Sequence, residues 1–329
     1  FGPLSLSPAA LALHYGQSVF EALKAYAQAD GSAALFRPDR NGARMRQSMR
    51  RIAIPELPDG VFELACALLA AADRDWIPTS EGAALYLRPF AFGSEPHLSV
   101  RPADEYLFVV IASPVAEYFG DGLRAISVAV ETADVRASSG GTGAVKFAGN
   151  YAAGFAAHGR ASGIGSDQVL WLDAAEHRWV EELNAMNVMF LWRRRGRTVL
   201  STPPLGGTIL GGVTRDSLLA LAPEVPGIDD VCEVPTTIDE VVDGMADGSL
   251  VEAFACGTAA VIAPIGTLVH REQALVVGDG RPGPLTVELR RRLVDLQQGR
   301  APDPHGWMAR LEDLLPPELA TPLLGRARR

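Results

Sequence analysis

The sequence contains very little lysine. Two of its 30 basic residues are lysines, Lys24 and Lys146, and the other 28 are arginines. An amine can form a Schiff base with an aldehyde, whereas a guanidinium cannot. Lys146 lies in the apolar, glycine-rich stretch of residues 140–151 and is therefore the first candidate for covalent chemistry. The alternative for Lys146 is a surface lysine kept by chance, and Lys24 is interpreted as a structural residue.

Cysteine is scarce too. Cys66, Cys232 and Cys256 are odd in number and far apart. This pattern excludes a disulfide framework and favours a reducing compartment, so we expect a cytoplasmic protein. No apolar run approaches the roughly 18 residues of a membrane span. No signal-peptide pattern is visible, and because the first residue is Phe1 we expect native residues to precede it.

An excess of basic charge is also missing. The formal net charge is −9, which argues against a nucleic-acid or anionic-membrane partner. The six histidines are scattered without metal-ligand spacing, so no metal site is expected. With 48% hydrophobic and 21% charged residues, the composition is that of a globular protein, and the length favours two domains.

Predicted helices and strands are mixed, as in an α/β (α+β) chain. A glycine- and proline-marked connection over 113–122 favours a first domain over residues 1–118, a linker over 119–133 and a second domain over 134–329. Helical spacing of apolar residues predicts helices over 62–72, 150–162, 215–222 and 285–299. Short apolar runs predict strands over 84–87, 105–112, 123–130, 168–173, 186–192 and 252–257.

Several nucleotide and hydrolase motifs are missing. The glycine-rich segment before Lys146 lacks the Gly-Lys-Ser/Thr of a phosphate loop, because Val145 precedes and Phe147 follows the lysine. No strand is followed by Gly-x-Gly-x-x-Gly at a helix start. No Gly-x-Ser-x-Gly elbow is present.

A lysine that serves pyridoxal phosphate makes other demands. The cofactor needs a carboxylate at its ring nitrogen, a donor to its phenolate oxygen and a phosphate cradle. A helix start suits the phosphate, because its backbone N–H groups and dipole favour anions. Candidates for these parts, in chain order, are Tyr151, Glu181, Glu182, the helix start Gly212-Val213-Thr214 and the turn Gly257-Thr258. Each fragment is common alone, and their value lies in occurring together.

Ordered motifs extend over nearly the whole chain. They are His14–Glu21, Phe36-Arg37-Pro38 with Arg44, Tyr86–Pro89, Gly149-Asn150-Tyr151, Asp167–Asp173, Glu181-Glu182-Leu183 with Met186-Asn187, Thr202–Leu205 and Gly257–Ala260. In this combination the chain resembles the branched-chain amino-acid aminotransferases, which are fold-type IV pyridoxal-phosphate enzymes. The resemblance implies transamination between L-leucine, L-isoleucine or L-valine and 2-oxoglutarate.

The resemblance also implies the fold and the assembly. It implies a small α+β N-terminal domain, a larger C-terminal domain with a pseudo-barrel β core, and pyridoxal 5'-phosphate bound between them. Members of the family are homodimers whose pocket borrows residues from the partner subunit. A homodimer is therefore expected here, and the sequence leaves open whether another protein partner exists.

The cofactor residues carry over by position. Lys146 would hold pyridoxal 5'-phosphate covalently and later move a proton, so the pKa of its amine should be depressed. Glu182 would face the ring nitrogen, with Glu181 as a structural neighbour, and Tyr151 would donate to the phenolate oxygen. The residues implied at the phosphate are Arg44, Val213, Thr214 and Thr258.

The substrate residues carry over in the same way. The backbone of Thr258 and Ala259 would bind the substrate carboxylate, and Arg88 would meet the distal carboxylate of glutamate. Because one pocket must accept both an aliphatic side chain and a carboxylate, an arginine at its rim makes physical sense. The residues implied as pocket walls are Tyr15, Phe20, Tyr86 and Tyr118. The alternative for these residues is ordinary core packing, and for Arg44 and Arg88 structural ion pairing.

Some positions depart from the family pattern. Ala22 and Asn184 stand where glycine is usual, and Gly211 replaces a proline. These changes put the substrate range in doubt. We therefore keep the hypothesis of a specialised enzyme that acts on an unusual β-branched substrate. Such an enzyme would exchange the Cβ proton of the substrate and so interconvert isoleucine and allo-isoleucine, alone or with a partner protein.

Two further alternatives remain. One is a D-amino-acid aminotransferase or aminodeoxychorismate lyase of the same fold, against which Tyr86-Leu87-Arg88 and Asp167–Asp173 argue. The other is a catalytically silent binding subunit, against which the intact Lys146, Glu182 and Tyr151 argue. The stereochemistry of the amino donor distinguishes the first alternative, and the visible spectrum of the cofactor distinguishes the second.

Overall fold

The computed structural model describes residues 2–116 and 123–324 of the chain. Among these residues no helix is long and apolar enough to cross a membrane. The contacts divide the chain into two compact units. The first comprises Phe1–Ala116, Val145–Gly149 and Gln297–Arg329, and the second comprises Glu117–Ala144 and Asn150–Leu296.

The described helices and strands alternate irregularly along the chain. The helices are α1 (Leu11–Tyr15), α2 (Pro38–Arg51), α3 (Val61–Ala72), α4 (Gly149–Ala152), α5 (Phe155–Gly163), α6 (Val213–Leu221), α7 (Ile238–Asp247), α8 (Pro284–Gln297), α9 (Leu311–Leu314) and α10 (Pro317–Leu324). The strands are β1 (Ser18–Phe20), β2 (Leu23–Ala27), β3 (Ala33–Phe36), β4 (Ala84–Gly93), β5 (Tyr106–Val115), β6 (Ile126–Val130), β7 (Gln168–Leu172), β8 (Val180–Leu183), β9 (Asn187–Arg194), β10 (Arg197–Thr202), β11 (Asp230–Glu233), β12 (Leu250–Gly257), β13 (Val261–His270), β14 (Gln273–Val276) and β15 (Met308–Arg310).

The first unit is built on an antiparallel six-stranded sheet in the order β1-β4-β2-β3-β15, with β5 on the other edge of β4. Helices α2 and α3 supply Met45, Phe62 and Cys66 to the core under this sheet. Side chains alternate along β4, so Leu85 and Leu87 lie in that core while Tyr86, Arg88 and Phe90 face the other side, where they are partly exposed. The small α+β domain expected from the sequence is confirmed.

The second unit contains a nine-stranded sheet in the order β11-β10-β9-β12-β13-β6-β7-β8, with β14 on β13. A further pairing of β8 with β9 closes six strands, β9, β12, β13, β6, β7 and β8, into a ring. Inward side chains such as Val128, Leu170, Phe190 and Ala263 fill it. The pseudo-barrel β core implied by the family resemblance is therefore confirmed.

Three segments group differently from the predicted contiguous division of the chain. Gln297–Arg329 was expected in the larger domain but belongs to the first unit, where β15 pairs with β3. Residues 145–149 lie beside β1 in the first unit, where Phe20 N donates to Lys146 O at 3.1 Å and Ala148 N donates to Ser18 O at 3.0 Å. The stretch expected as a linker contains β6, which is a strand of the closed ring. These pairings join residues distant in sequence, so local patterning does not reveal them.

The helix predicted over residues 150–162 is interrupted. It is replaced by α4 and α5, which are separated by a turn in which Gly154 N donates to Tyr151 O at 3.1 Å. Glycine suits this turn because a Cβ on Gly154 would lie 3.2 Å from the ring of Trp171. The interruption keeps Tyr151 in a short helix of its own.

Candidate active site

Lys146 is held rigidly in the first unit. Its backbone N donates to Ser48 Oγ at 2.9 Å, and its carbonyl accepts from Phe20 N. The side chain is 8% exposed, and Nζ lies 4.3 Å from the centroid of the Phe20 ring. The alternative of a surface lysine is therefore wrong. An amine over an aromatic face and away from bulk water is in a setting suited to controlled reactivity.

Arg88 lies near the same aromatic ring. Its Cζ is 4.8 Å from the centroid of Phe20 and 5.3 Å from that of Tyr86, and its Nη2 donates to the Tyr86 hydroxyl at 2.7 Å. The Nε of Arg88 is buried, and no acceptor for it is found within residues 2–116 and 123–324. The structure thus brings Lys146, Phe20, Tyr86 and Arg88 together, as the sequence predicted. A buried donor of this kind suits an incoming carboxylate.

Glu21, the residue after Phe20, is the centre of a buried hydrogen-bond network. It lies in the short break between β1 and β2, where its backbone N donates to Pro89 O, and its side chain is fully buried. Arg44 grips its carboxylate with Nε at 2.6 Å and Nη2 at 2.9 Å, and Asn41 Nδ2 donates to it at 2.8 Å. Burial alone would raise the pKa of Glu21, but Arg44, Lys146 and Asn41 together hold it below its ordinary value. Sequence reasoning included Glu21 in a motif but gave it no role.

Arg44 was expected at the phosphate and is here paired with Glu21. The pairing is bidentate and uses Nε and Nη2, which fixes the plane of the guanidinium. Glu21 therefore orients the arginine, whose role toward a phosphate stays a prediction.

Tyr15, another predicted pocket residue, lies at the surface of the first unit. The Tyr15 hydroxyl donates to Leu98 O, and the Tyr15 side chain is 41% exposed. Tyr118 lies outside the described residues, so its role stays a prediction.

Glu182 is a firmly anchored carboxylate of the second unit. It lies on β8 and is 4% exposed. Its Oε1 lies 2.8 Å from Arg136 Nη2 and accepts from Leu210 N at 3.3 Å, and its Oε2 accepts from Asn187 Nδ2 at 2.9 Å. The β8–β9 register pairs Glu182 directly with Asn187. Sequence reasoning did not identify Arg136 as a partner of Glu182. Of the residues that hold the Glu182 carboxylate, Asn187 was the one already named in a motif, together with Met186.

Glu181 has different surroundings, as expected of adjacent residues on a strand. It too is buried, and its Oε2 has no hydrogen-bond partner among the described residues. Burial raises the pKa of Glu181, and a hydrogen bond with Thr208 and the charge of Arg136 only partly oppose this. Glu181 therefore lacks the firm ionic partner of Glu182.

The start of α6 has the properties of an anion site. Its N-cap, Gly212, offers no side-chain cap, and Val213 and Thr214 of the first turn are buried. A Cβ on Gly212 would lie 2.0 Å from Asn187 Oδ1, so a larger residue here would force the Asn187 side chain to shift. Asn187 therefore links the helix start to Glu182. Backbone N–H groups and the helix dipole at such a start favour a phosphate.

Thr258 and Ala259 lie in the hairpin between β12 and β13. Gly257 pairs with Val261, and Ile262 N donates to Ala260 O at 2.7 Å, which closes a tight turn. Val261 adopts a φ of 61°, a conformation that is strained for a β-branched residue. The pairing of β12 with β13 holds Val261 in this conformation, in the same turn that carries the backbone groups of Thr258 and Ala259.

The departures from the family pattern are accommodated locally. Asn184 Oδ1 accepts from the indole of the buried Trp171 at 2.7 Å, and Asn184 Nδ2 lies 3.4 Å from His158 Nδ1. Ala22 is buried, and its backbone N donates to Glu21 Oε2 at 3.0 Å. Asn184 thus joins α5 to the barrel through side-chain hydrogen bonds that glycine could not make, whereas the bond at Ala22 comes from its backbone and does not explain the alanine side chain.

Comparison with known protein families identifies the class of enzyme to which the chain belongs. The family described as "Amino-transferase class IV" matches residues 18–268. The chain therefore belongs to the class IV aminotransferase family, which confirms the resemblance stated from its motifs.

Individual relatives have a narrower name. A branched-chain-amino-acid aminotransferase of Mycobacterium tuberculosis is 50% identical over 312 residues, which are 94% of this chain and 84% of that protein. A branched-chain-amino-acid aminotransferase of Mycolicibacterium smegmatis is 48% identical, again over 94% of this chain and 84% of that protein. Branched-chain-amino-acid aminotransferase 2 of Bacillus subtilis is 42% identical over 93% of this chain and 83% of that protein.

Solved structures give the same result for the fold. A branched-chain amino acid aminotransferase of T.th. with pyridoxamine 5'-phosphate superposes with a TM-score of 0.78 at 27% identity, covering 93% of each chain. The same enzyme complexed with N-(5'-phosphopyridoxyl)-L-glutamate gives 0.77 at 26% identity, again covering 93% of each chain. The fold-type IV architecture predicted from the sequence is thereby confirmed.

Proposed function

We propose that this enzyme transfers the amino group between L-leucine, L-isoleucine or L-valine and 2-oxoglutarate, with pyridoxal 5'-phosphate as its cofactor. The names of relatives up to 50% identical support this function. The observation that carries the proposal is the arrangement around Phe20, whose ring lies within 5 Å of both the Lys146 amine and the Arg88 guanidinium. A reactive amine and a carboxylate-binding arginine share one aromatic wall.

The donor set fits the cofactor. The chain offers a buried amine at Lys146, a buried and ion-paired carboxylate at Glu182 and an uncapped helix start at Val213 and Thr214. A residue larger than glycine at position 212 would meet Asn187 and obstruct that helix start. These groups match the aldehyde, the ring nitrogen and the phosphate of pyridoxal phosphate in chemical type.

Each residue then has a role. Lys146 would hold the cofactor covalently, Glu182 its ring nitrogen and Tyr151 its phenolate oxygen. The groups proposed to hold the phosphate are Arg44, Val213, Thr214 and Thr258. When bound, pyridoxal phosphate supplies an electron sink that stabilises negative charge at the substrate Cα. The Lys146 amine would take the Cα proton and return it at the neighbouring position, which requires the neutral form of the amine.

The two kinds of substrate make opposite demands on one pocket. An aliphatic side chain needs apolar walls, whereas glutamate brings a second carboxylate. Phe20 and Tyr86 would supply the walls, with Tyr15 and Tyr118 as further proposed members. Arg88 rests on the Phe20 and Tyr86 rings and bonds the Tyr86 hydroxyl, and its buried Nε would donate to the glutamate carboxylate. The backbone of Thr258 and Ala259 would hold the carboxylate common to both substrates.

We also propose that the enzyme is a homodimer and works in the cytoplasm. The proposal of a homodimer follows the family expectation that a partner subunit completes the pocket. The three free cysteines, Cys66, Cys232 and Cys256, support a reducing compartment.

A substrate panel tests the function. The purified chain, supplied with pyridoxal 5'-phosphate and 2-oxoglutarate, is assayed for glutamate formation from both enantiomers of leucine and valine, from L-isoleucine and from L-allo-isoleucine. We expect turnover with the L-amino acids and none with D-leucine. Turnover of D-amino acids alone would contradict the proposal. Deuterium uptake at Cβ of L-isoleucine in D₂O would instead support the hypothesis of an enzyme that exchanges the Cβ proton.

A further inference from the structure

Arg136 is a buried charge to which the function proposed so far gives no role. Its side chain is 5% exposed and belongs to the second unit. Its Nη2 lies 2.8 Å from Glu182 Oε1 and donates to the carbonyl oxygens of Gly143, at 2.9 Å, and Thr208. Burying a guanidinium is costly unless it is paired with charge and hydrogen bonded, so a specific reason for its presence is expected.

The Nη2 of Arg136 has fewer hydrogens than it has neighbouring acceptors. A single Nη2 carries two hydrogens, and three acceptors surround it. The Nε of Arg136 is buried and has no partner among the described residues. Nη2 therefore shares its two hydrogens among Glu182 and two backbone carbonyls, and Glu182 is the one charged acceptor of the three.

The neighbours of Glu182 complete this arrangement. Leu210 N donates to the same Oε1 as Arg136, while Asn187 Nδ2 holds Oε2 and also donates to Leu210 O at 2.9 Å. Among these donors Arg136 is the one full charge. Hydrogen bonds from Asn187 and Leu210 can orient the carboxylate, but a nearby cation is what favours its ionised form most strongly once it is buried.

We infer that Arg136 is a positioning residue that keeps Glu182 ionised, so that the proton between Glu182 and a pyridine nitrogen stays on the nitrogen. This inference rests on the proposed function, in which Glu182 faces the ring nitrogen of pyridoxal phosphate. Without a cation, a carboxyl buried as deeply as Glu182 would hold the proton itself. A protonated ring nitrogen is what makes the cofactor an effective electron sink.

A purely structural role is the competing explanation. Gly143 and Thr208 approach so closely that a Cβ on Gly143 would lie 2.3 Å from Thr208 O, and Arg136 bonds the carbonyls of both. Loss of Arg136 could then loosen both loops without any effect through Glu182. The two explanations differ in whether the effect of Arg136 requires the Glu182 charge.

A double-mutant cycle separates them. Full-length wild type, Arg136→Gln, Glu182→Gln and the double variant are stripped of cofactor and titrated with pyridoxal 5'-phosphate. The dissociation constant and the melting temperature of each apoprotein are measured. We expect Arg136→Gln to weaken binding about 10-fold or more in the wild-type background and less than about 2-fold in the Glu182→Gln background, because its partner charge is already absent.

Two further variants guard against a failure to fold. Arg136→Lys keeps the charge but not the planar fork, so it should retain most of the cofactor affinity even if the apoprotein melts lower. Arg215→Gln removes another buried arginine, which pairs with Glu233 at 2.5 Å and bonds Pro203 O. Its effect on binding should be the same in both Glu182 backgrounds.

The outcomes are distinct. Equal weakening by Arg136→Gln in both backgrounds, or an Arg136→Lys variant that binds as poorly as Arg136→Gln, would overturn the inference and leave the proposed function intact. A wild-type protein that binds no pyridoxal 5'-phosphate would overturn the proposed function and this inference with it.

Discussion

Replacing Arg88 by methionine should separate the two substrates of the enzyme. Methionine keeps an unbranched apolar chain against Phe20 and Tyr86 but removes the charge and the buried Nε donor. Glutamate would lose at least one hydrogen bond between a guanidinium and a carboxylate, whereas leucine never made one. The variant should therefore discriminate against the acidic substrate alone.

The size of the effect follows from that bond. A hydrogen bond to a charged group contributes about 1.5–3 kcal/mol, and about 1.4 kcal/mol corresponds to a factor of ten. The kcat/KM for glutamate should fall about 10- to 150-fold. The kcat/KM for leucine should change less than about 3-fold, because the methionine side chain replaces apolar contact with apolar contact.

Single-turnover kinetics measure the two half-reactions separately. The cofactor-loaded enzyme is mixed with L-glutamate or with L-leucine, and the loss of the cofactor's visible band is followed. Tyr86→Phe is the matched control, since it removes the acceptor of Arg88 Nη2 but keeps the charge. Equal losses for glutamate and leucine in the Arg88→Met variant would refute the assigned role of Arg88.

Three further expectations concern stability and reactivity. Glu21→Gln should reduce the unfolding free energy most near neutral pH and progressively less as the pH falls through the lowered pKa of Glu21; urea denaturation between about pH 7 and about pH 3 checks this, and a pH-independent difference would contradict it. Gly212→Ala should destabilise the apoprotein by about 1–3 kcal/mol, because its Cβ would lie 2.0 Å from Asn187 Oδ1; Gly211→Ala, whose Cβ meets nothing nearer than 3.6 Å, should stay within about 0.5 kcal/mol. Burial raises the pKa of Cys256 to about 12 and raises that of Cys66 still further, so iodoacetamide at about pH 8 should spare both in the native protein; rapid native labelling of Cys256, read by mass spectrometry, would show that the β12 core is open.

The sequence predicted the fold where the signal was local. Helix α3 was expected over 62–72 and spans Val61–Ala72, and the strand expected over 168–173 is β7. The ring closure of the second unit depends on the pairing of β8 with β9 through Glu182 and Asn187. Such a contact has no signature in hydrophobic periodicity, and it was predicted through family resemblance alone.

The candidate site was predictable to a similar extent. Motifs identified Lys146, Phe20, Tyr86 and Arg88, which the structure brings together. Arg136 was missed because one arginine among 28 carries no local signal until the fold brings it to Glu182. The pairing of Glu21 with Arg44 was missed for the same reason, since α2 must first pack beside the break between β1 and β2.

The central claim is that Lys146 carries the cofactor. The protein loaded with pyridoxal 5'-phosphate is reduced with borohydride, digested and mapped by mass spectrometry. We expect the phosphopyridoxyl mass on the peptide containing Lys146, and its absence in Lys146→Arg, because a guanidinium cannot form the covalent link. Label on Lys24, or no fixed cofactor in the wild type, would contradict the account.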